Sequence, residues 1–183
     1  MVALAAARPT VSQSIELAFT ASDPQLEEAT VEYRELWAAE GDEIVRALER
    51  WSGLEFAVDR VPVEVMEGPS WAGTASMGMR ASYPPETKRG TLAHELGHIL
   101  IGDLIPEDEE GEPVYDHHAF MYLFLYEAWI DLWGQEFADG QVAVESRRRG
   151  INDYEGKWRA ALAMTAAERR AELESLIAEW RGR

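Results

Sequence analysis

The chain has 183 residues, 46% of them hydrophobic, and no cysteine. That is enough apolar material for a buried core, and it excludes disulfides, Cys-ligated metal and a chain disordered throughout. The 34 acidic and 17 basic side chains leave a formal net charge of −17, a field that excludes nucleic acid and anionic membrane as partners and favours a basic peptide or protein.

The opening stretch, MVALAAARPTVSQS, is Ala-rich, but Arg8-Pro9 breaks its apolar run after seven residues. It makes a poor signal peptide and is too short to cross a bilayer. The cytoplasm is the expected compartment, with secretion left open should a leader have been removed. Residues 13–20 alternate in part and read as an edge strand or an unstructured lead-in. Asp23-Pro24 opens a helical stretch in which Leu26, Ala29, Tyr33, Leu36 and Trp37 recur at helical spacing, followed by Ile44, Leu48 and Trp51. Gly41-Asp42 splits it into two helices, with Asp42 as the second cap.

Between residues 54 and 68 two alternating sets, Leu54-Phe56-Val58 and Val61-Val63-Val65, suggest one or two short strands. Gly68-Pro69-Ser70 is a turn signal, and residues 74–82, small and glycine-containing, read as a strand at the edge of a cleft. A helix follows over about 86–101. The loop 103–116 carries seven carboxylates, and Asp116 caps a second helix running to about residue 134. That helix is apolar nearly all round, so it should pack across the first as a core helix. Two more helices are expected, one from Asp153 to about Met164 and one opened by the capping box Thr165-x-x-Glu168. They cover the core or mediate an oligomer. No repeat or linker divides the chain, which points to a single domain over 1–183, with a core of about 24–134 and a helical extension of about 141–183.

The chemistry concentrates in Thr91-Leu92-Ala93-His94-Glu95-Leu96-Gly97-His98, a complete H-E-x-x-H. On a helix His94 and His98 share a face and can hold one metal ion. Glu95 lies about 100° further round, where it can accept a proton from a metal-activated water without binding the metal itself. Zinc accepts imidazole nitrogens, and a catalytic site holds it with three protein ligands and leaves one position for water. The chain has only four histidines, and all lie between residues 94 and 118.

The third ligand has several candidates. His117 is favoured, because it sits nearest the start of its helix; His118 would then stabilise the oxyanion of the tetrahedral intermediate. The rivals as ligand are His118 itself, Glu127, a carboxylate inside an apolar helix with Asp131 one turn on, and Asp103, just past the motif helix. Tyr115, Tyr122 and Tyr126 are further candidates for an oxyanion-stabilising hydroxyl. The carboxylates at 107–112 could bind calcium, but they lack EF-hand spacing and read better as a solvated charge run.

The stretch TLAHELGHILIGD resembles the active-site helix of small bacterial and phage-type members of the zincin metallopeptidase superfamily. Asp116-His117-His118-Ala119-Phe120 is faintly similar to the third-ligand segment of SprT-like proteases, and Glu127 with Asp131 matches the E-x-x-x-D spacing of gluzincins. The metzincin pattern fails, since Ile101 and Leu104 occupy the places of its glycine and third histidine. The resemblance implies an α+β fold with a small, mostly antiparallel sheet packed on the motif helix and a second core helix. It also implies a zinc-dependent peptidase in which His94 and His98 bind zinc, Glu95 is the general base and an edge strand pairs with extended peptide. An inactive zincin-like interaction protein and a metal-dependent hydrolase of a non-peptide substrate are the alternatives.

Overall fold

In a computed structural model, residues 15–149 and 152–182 are described. The readings made on the first fourteen residues lie outside that range. Strand β1 (Glu16–Ala21) buries Leu17 and Phe19 on alternate positions, and β2 (Arg60–Met66) buries Val61, Val63 and Val65. The apolar period of two thus sets which face meets the core. Strands β3 (Trp71–Ala72) and β4 (Met77–Arg80) complete a sheet of order β1-β2-β4-β3.

The fold is α+β with a mixed sheet. Pairs β1–β2 and β2–β4 are parallel and only β3–β4 is antiparallel, against the expectation of a mostly antiparallel sheet. The reason is the connection between β1 and β2. It runs through the 26-residue helix α1 (Glu27–Ser52), and a crossover of that kind returns the chain in the same direction. The first helical stretch is therefore one helix and not two. Gly41 does not break it, because its missing side chain makes room for the indole of Trp37; a Cβ there would lie 2.7 Å from that ring. Only one strand forms between 54 and 68. The strand placed at 74–82 is β4, an inner strand, and the free edge beside it belongs to β3.

Helix α2 (Pro85–Ile101) is buried along most of its length, between the sheet and α3 (His117–Trp133). Two glycines set how closely its neighbours come. A Cβ on Gly97 would lie 2.6 Å from Met121 Sδ on α3, and one on Gly90 would lie 2.4 Å from the amide of Gln141 on α4 (Gln135–Glu145). Gln141 Nε2 donates to the Glu86 carbonyl at 3.1 Å, so α4 is docked along α2 from its first turn.

Helices α5 (Tyr154–Ala163) and α6 (Ala166–Arg181) cover α3. The capping box of Thr165 and Glu168 is present. Leu173, Ile177 and Trp180 bury the α6 stripe within this chain, with Trp180 against Phe120 at 5.1 Å between ring centres. No helix among the described residues is long and apolar enough to cross a membrane.

Candidate metal centre

His94 and His98 lie one turn apart on α2, with ring centres 5.0 Å apart. The third imidazole comes from the start of α3. Asp116 caps that helix by accepting from Ala119 N at 2.9 Å, and its other oxygen accepts from Lys157 Nζ at 2.6 Å, tying the first turns of α3 and α5 together. This anchored turn carries His118 to ring-centre distances of 4.7 Å from His98 and 5.3 Å from His94. Among the described residues, His94, His98 and His118 are the only group of three metal-ligating side chains whose ligand atoms converge, all within 4.8 Å.

Helix geometry explains why His118 and not His117 joins the pair. The stripe of α3 that faces α2 includes Met121, against Gly97, and Tyr122, near His94. His118 lies three and four residues before them, hence on the same face. His117 is turned about 100° away and lines a different cleft with Gly102 and Asp103. The converging set thus contains His118, whereas the sequence reading favoured His117. A His118 that served as ligand would not be free to act as the oxyanion donor expected of it.

Other sequence candidates are engaged elsewhere. Glu127 is paired with Arg169, and Asp131 accepts from Arg50 and Trp51 on α1. Tyr122 donates to Glu145, Tyr126 donates to Asp139, and Tyr115 packs on Trp180. In the acidic loop, Asp108 accepts from the backbone of Glu110 and Glu112; no three of its carboxylates converge.

The donor set fits a divalent metal. Nε2 of His98 and Nε2 of His118 stand 3.3 Å apart. Two corners of a tetrahedron drawn at zinc–nitrogen distance are separated by about the same length. The nitrogens must be unprotonated to bind metal, and their surroundings favour that state. Burial, followed by the charge of His94, holds His118 down at about 3. Burial and the neighbouring histidines hold His98 well below the ordinary imidazole range.

A carboxylate that sequence reasoning missed completes the arrangement. Glu145, at the end of α4 and 1% exposed, places Oε1 2.7 Å from Nδ1 of His94. The approach is too bent for a hydrogen bond, and neither atom has a hydrogen-bond partner, so the two meet as a close ionic contact. With Nδ1 engaged, Nε2 of His94 is the nitrogen left for a metal. The other oxygen of Glu145 accepts from Tyr122 Oη at 3.0 Å and Trp158 Nε1 at 2.9 Å. Burial opposes its charge, but His94, Arg148 and Trp158 outweigh burial and hold it at about 2. Glu95 has the opposite balance. It is 3% exposed, and burial pushes its carboxyl above the usual range despite the charges of His94 and Arg148.

The three imidazoles and Glu95 open onto a cleft of about 230 Å³ walled by Ser70, Trp71, Ala72, Arg148 and Tyr154. Trp71 is 43% exposed, and its indole lies over Gly78, where a Cβ would sit 2.2 Å from the indole nitrogen. Tyr154 stands edge-on to His118 at 4.9 Å. Glu145 and Arg148 share one sequence signal, an acidic residue that ends the apolar run Val142-Ala143-Val144 and is separated by Ser146 from three arginines, but nothing in it connects them to residue 94.

A buried His94-Glu95-x-x-His98 joined by a histidine from a distal helix is the arrangement of a zincin-like H-E-x-x-H metal site. Comparison of the chain with protein-family models, with curated proteins and with solved structures finds no match in any of the three.

Proposed function

We propose that the protein is a zinc-dependent peptidase. One observation carries this reading: three imidazoles converge on one point beside a buried Glu95, and the point faces an open cleft. A metal site with a purely structural role is usually closed by four protein ligands, whereas catalysis needs a free position. His94, His98 and His118 would hold the ion. An all-imidazole set with three members suits zinc among the common divalent metals. Bound there, zinc supplies Lewis acidity, bringing deprotonation of water toward neutral pH and polarising a carbonyl oxygen.

The chain's own groups do the rest. Glu95 takes the proton of the attacking water on its carboxylate and returns it to the leaving amine nitrogen. Burial raises its proton affinity, which suits a base that must hold the proton between the two steps. Glu145 holds the His94 ring so that it does not rotate when the metal's load changes. The free edge of β3 offers backbone groups to an extended peptide, by strand addition, and the Trp71 indole gives that peptide an apolar wall.

The test compares zinc-loaded wild type with Glu95→Gln on a peptide library. Glu95→Gln is expected to keep one zinc per chain and to lose at least 100-fold in hydrolysis, the scale of a missing general base. Full activity in that variant would refute the mechanism.

A further inference from the structure

Arg148 is the one cationic side chain, among the described residues, that lines the cleft. Its guanidinium is held in place without being used up. Nη2 donates to Thr91 Oγ1 at 3.1 Å, one turn before Glu95 on the same face of α2. Its contact with Glu145 is long, at 3.8 Å, and that carboxylate is already served by His94, Tyr122 and Trp158. A guanidinium has five N–H donors in a planar fork that matches a carboxylate. Here it stands 21% exposed, in the lining of the cleft, in a protein of net charge −17.

Two further observations concern the length of substrate that can bind. The edge strand β3 has two residues, so strand addition offers a long peptide only a very short ladder. The cleft, at about 230 Å³, is smaller than the roughly 300–1,000 Å³ usual for ligand pockets. A substrate gripped over so short a length needs a strong contact close to the scissile bond, and among the described residues Arg148 is the one Lys or Arg that lines the cleft to make it.

We propose that Arg148 is a specificity-determining residue that binds a substrate carboxylate, and that the substrates are short peptides carrying that carboxylate within a residue or two of the bond to be cut. This rests on the peptidase reading above. A C-terminal carboxylate and the side chain of Asp or Glu share the required chemistry. The general acidic surface disfavours both outside the cleft, so the cation confines carboxylate binding to this place.

The experiment measures binding calorimetrically on the zinc-loaded Glu95→Gln protein, which binds without turnover. The probes are N-acetylated alanine tripeptides ending in a free acid, in an amide, or in an amidated Asp. At least one of the two carboxylate peptides, the free acid or the amidated Asp, is expected to bind at least tenfold tighter than the plain amide, on the scale of a charge-assisted hydrogen bond. Arg148→Met should erase that ratio while keeping zinc, and Arg148→Lys should restore part of it. Tight binding of the amidated Asp peptide would assign the carboxylate to a side chain; weak binding would assign it to the C-terminus. Equal binding of all three peptides overturns the proposal, as does an Arg148→Met variant that weakens all three alike. Hydrolysis by the protein with Glu95 intact is scored separately. If it is lost in Glu95→Gln but the peptides bind equally, only the role of Arg148 fails; if no peptide is cut, the peptidase reading fails.

Discussion

Glu145 Oε1 stands 2.7 Å from Nδ1 of His94, although 51 residues separate them in the chain. The contact selects which ring nitrogen faces the metal position. It also makes α4 part of the site, since the other oxygen of the same carboxylate ties in Tyr122 and Trp158.

Replacing this carboxylate therefore acts on the metal before it acts on chemistry. Glu145→Gln is expected to lower zinc affinity about 10- to 100-fold, the usual cost of losing such a partner. Competition with a chromogenic chelator measures it. Unchanged affinity would show that His94 needs no orienting group.

Glu127 is expected to behave differently. It is paired with Arg169, and the two side chains are 13% and 6% exposed. Glu127→Ala leaves a buried guanidinium without its anion and should cost about 3–5 kcal/mol of stability in urea denaturation. Zinc content should stay at one per chain. Loss of zinc with stability intact would return Glu127 to the ligand set.

The positions of these two glutamates show what the sequence could and could not reveal. His94, Glu95 and His98 are legible because one helix turn brings them together, a relation that depends on spacing alone. The bounds of α2 and α3 and the capping box at Thr165 are legible for the same local reason. The choice between His117 and His118 depends on which face of α3 meets α2. Gly97 and Met121 decide that by a close approach invisible in a linear string. Glu127 looked like a ligand because a carboxylate in an apolar helix needs a partner, and the partner proved to be Arg169, 42 residues on. The parallel pairings of the sheet follow from where α1 delivers the chain. Glu145 and Arg148 reach the site through the docking of α4 on α2, where Gly90 leaves room for Gln141.

Acid should destabilise the metal-free protein in a defined window. His118 is held at about 3 and His98 well below its ordinary value, whereas both would titrate near 6.5 in the unfolded chain. Between those values the unfolded chain binds more protons than the folded one, so stability rises with pH there. Their contribution is complete above about 6.5 and is lost as pH falls toward 3. Glu145, held at about 2 against an ordinary 4.5, extends the loss at the acid end. Urea midpoints of zinc-free protein at pH 7.5, 5.5 and 4 (about the bounds of this window) should fall in that order. A flat profile would mean the histidines are not buried neutral.

Gly78 supports the cleft wall without touching the metal ligands. Gly78→Ala puts a methyl where the Trp71 indole nitrogen now lies, 2.2 Å from the new carbon, and must displace the ring or strand β3. Peptide KM is expected to rise several-fold with zinc content unchanged. Steady-state kinetics beside elemental analysis separates this outcome from a general loss of fold.

The most direct test of the account is the zinc content of His117→Ala and His118→Ala, purified side by side and measured by elemental analysis. With His94, His98 and His118 as the ligands, His117→Ala retains one zinc per chain and His118→Ala loses it. Zinc lost from His117→Ala and kept by His118→Ala would contradict the account at its centre.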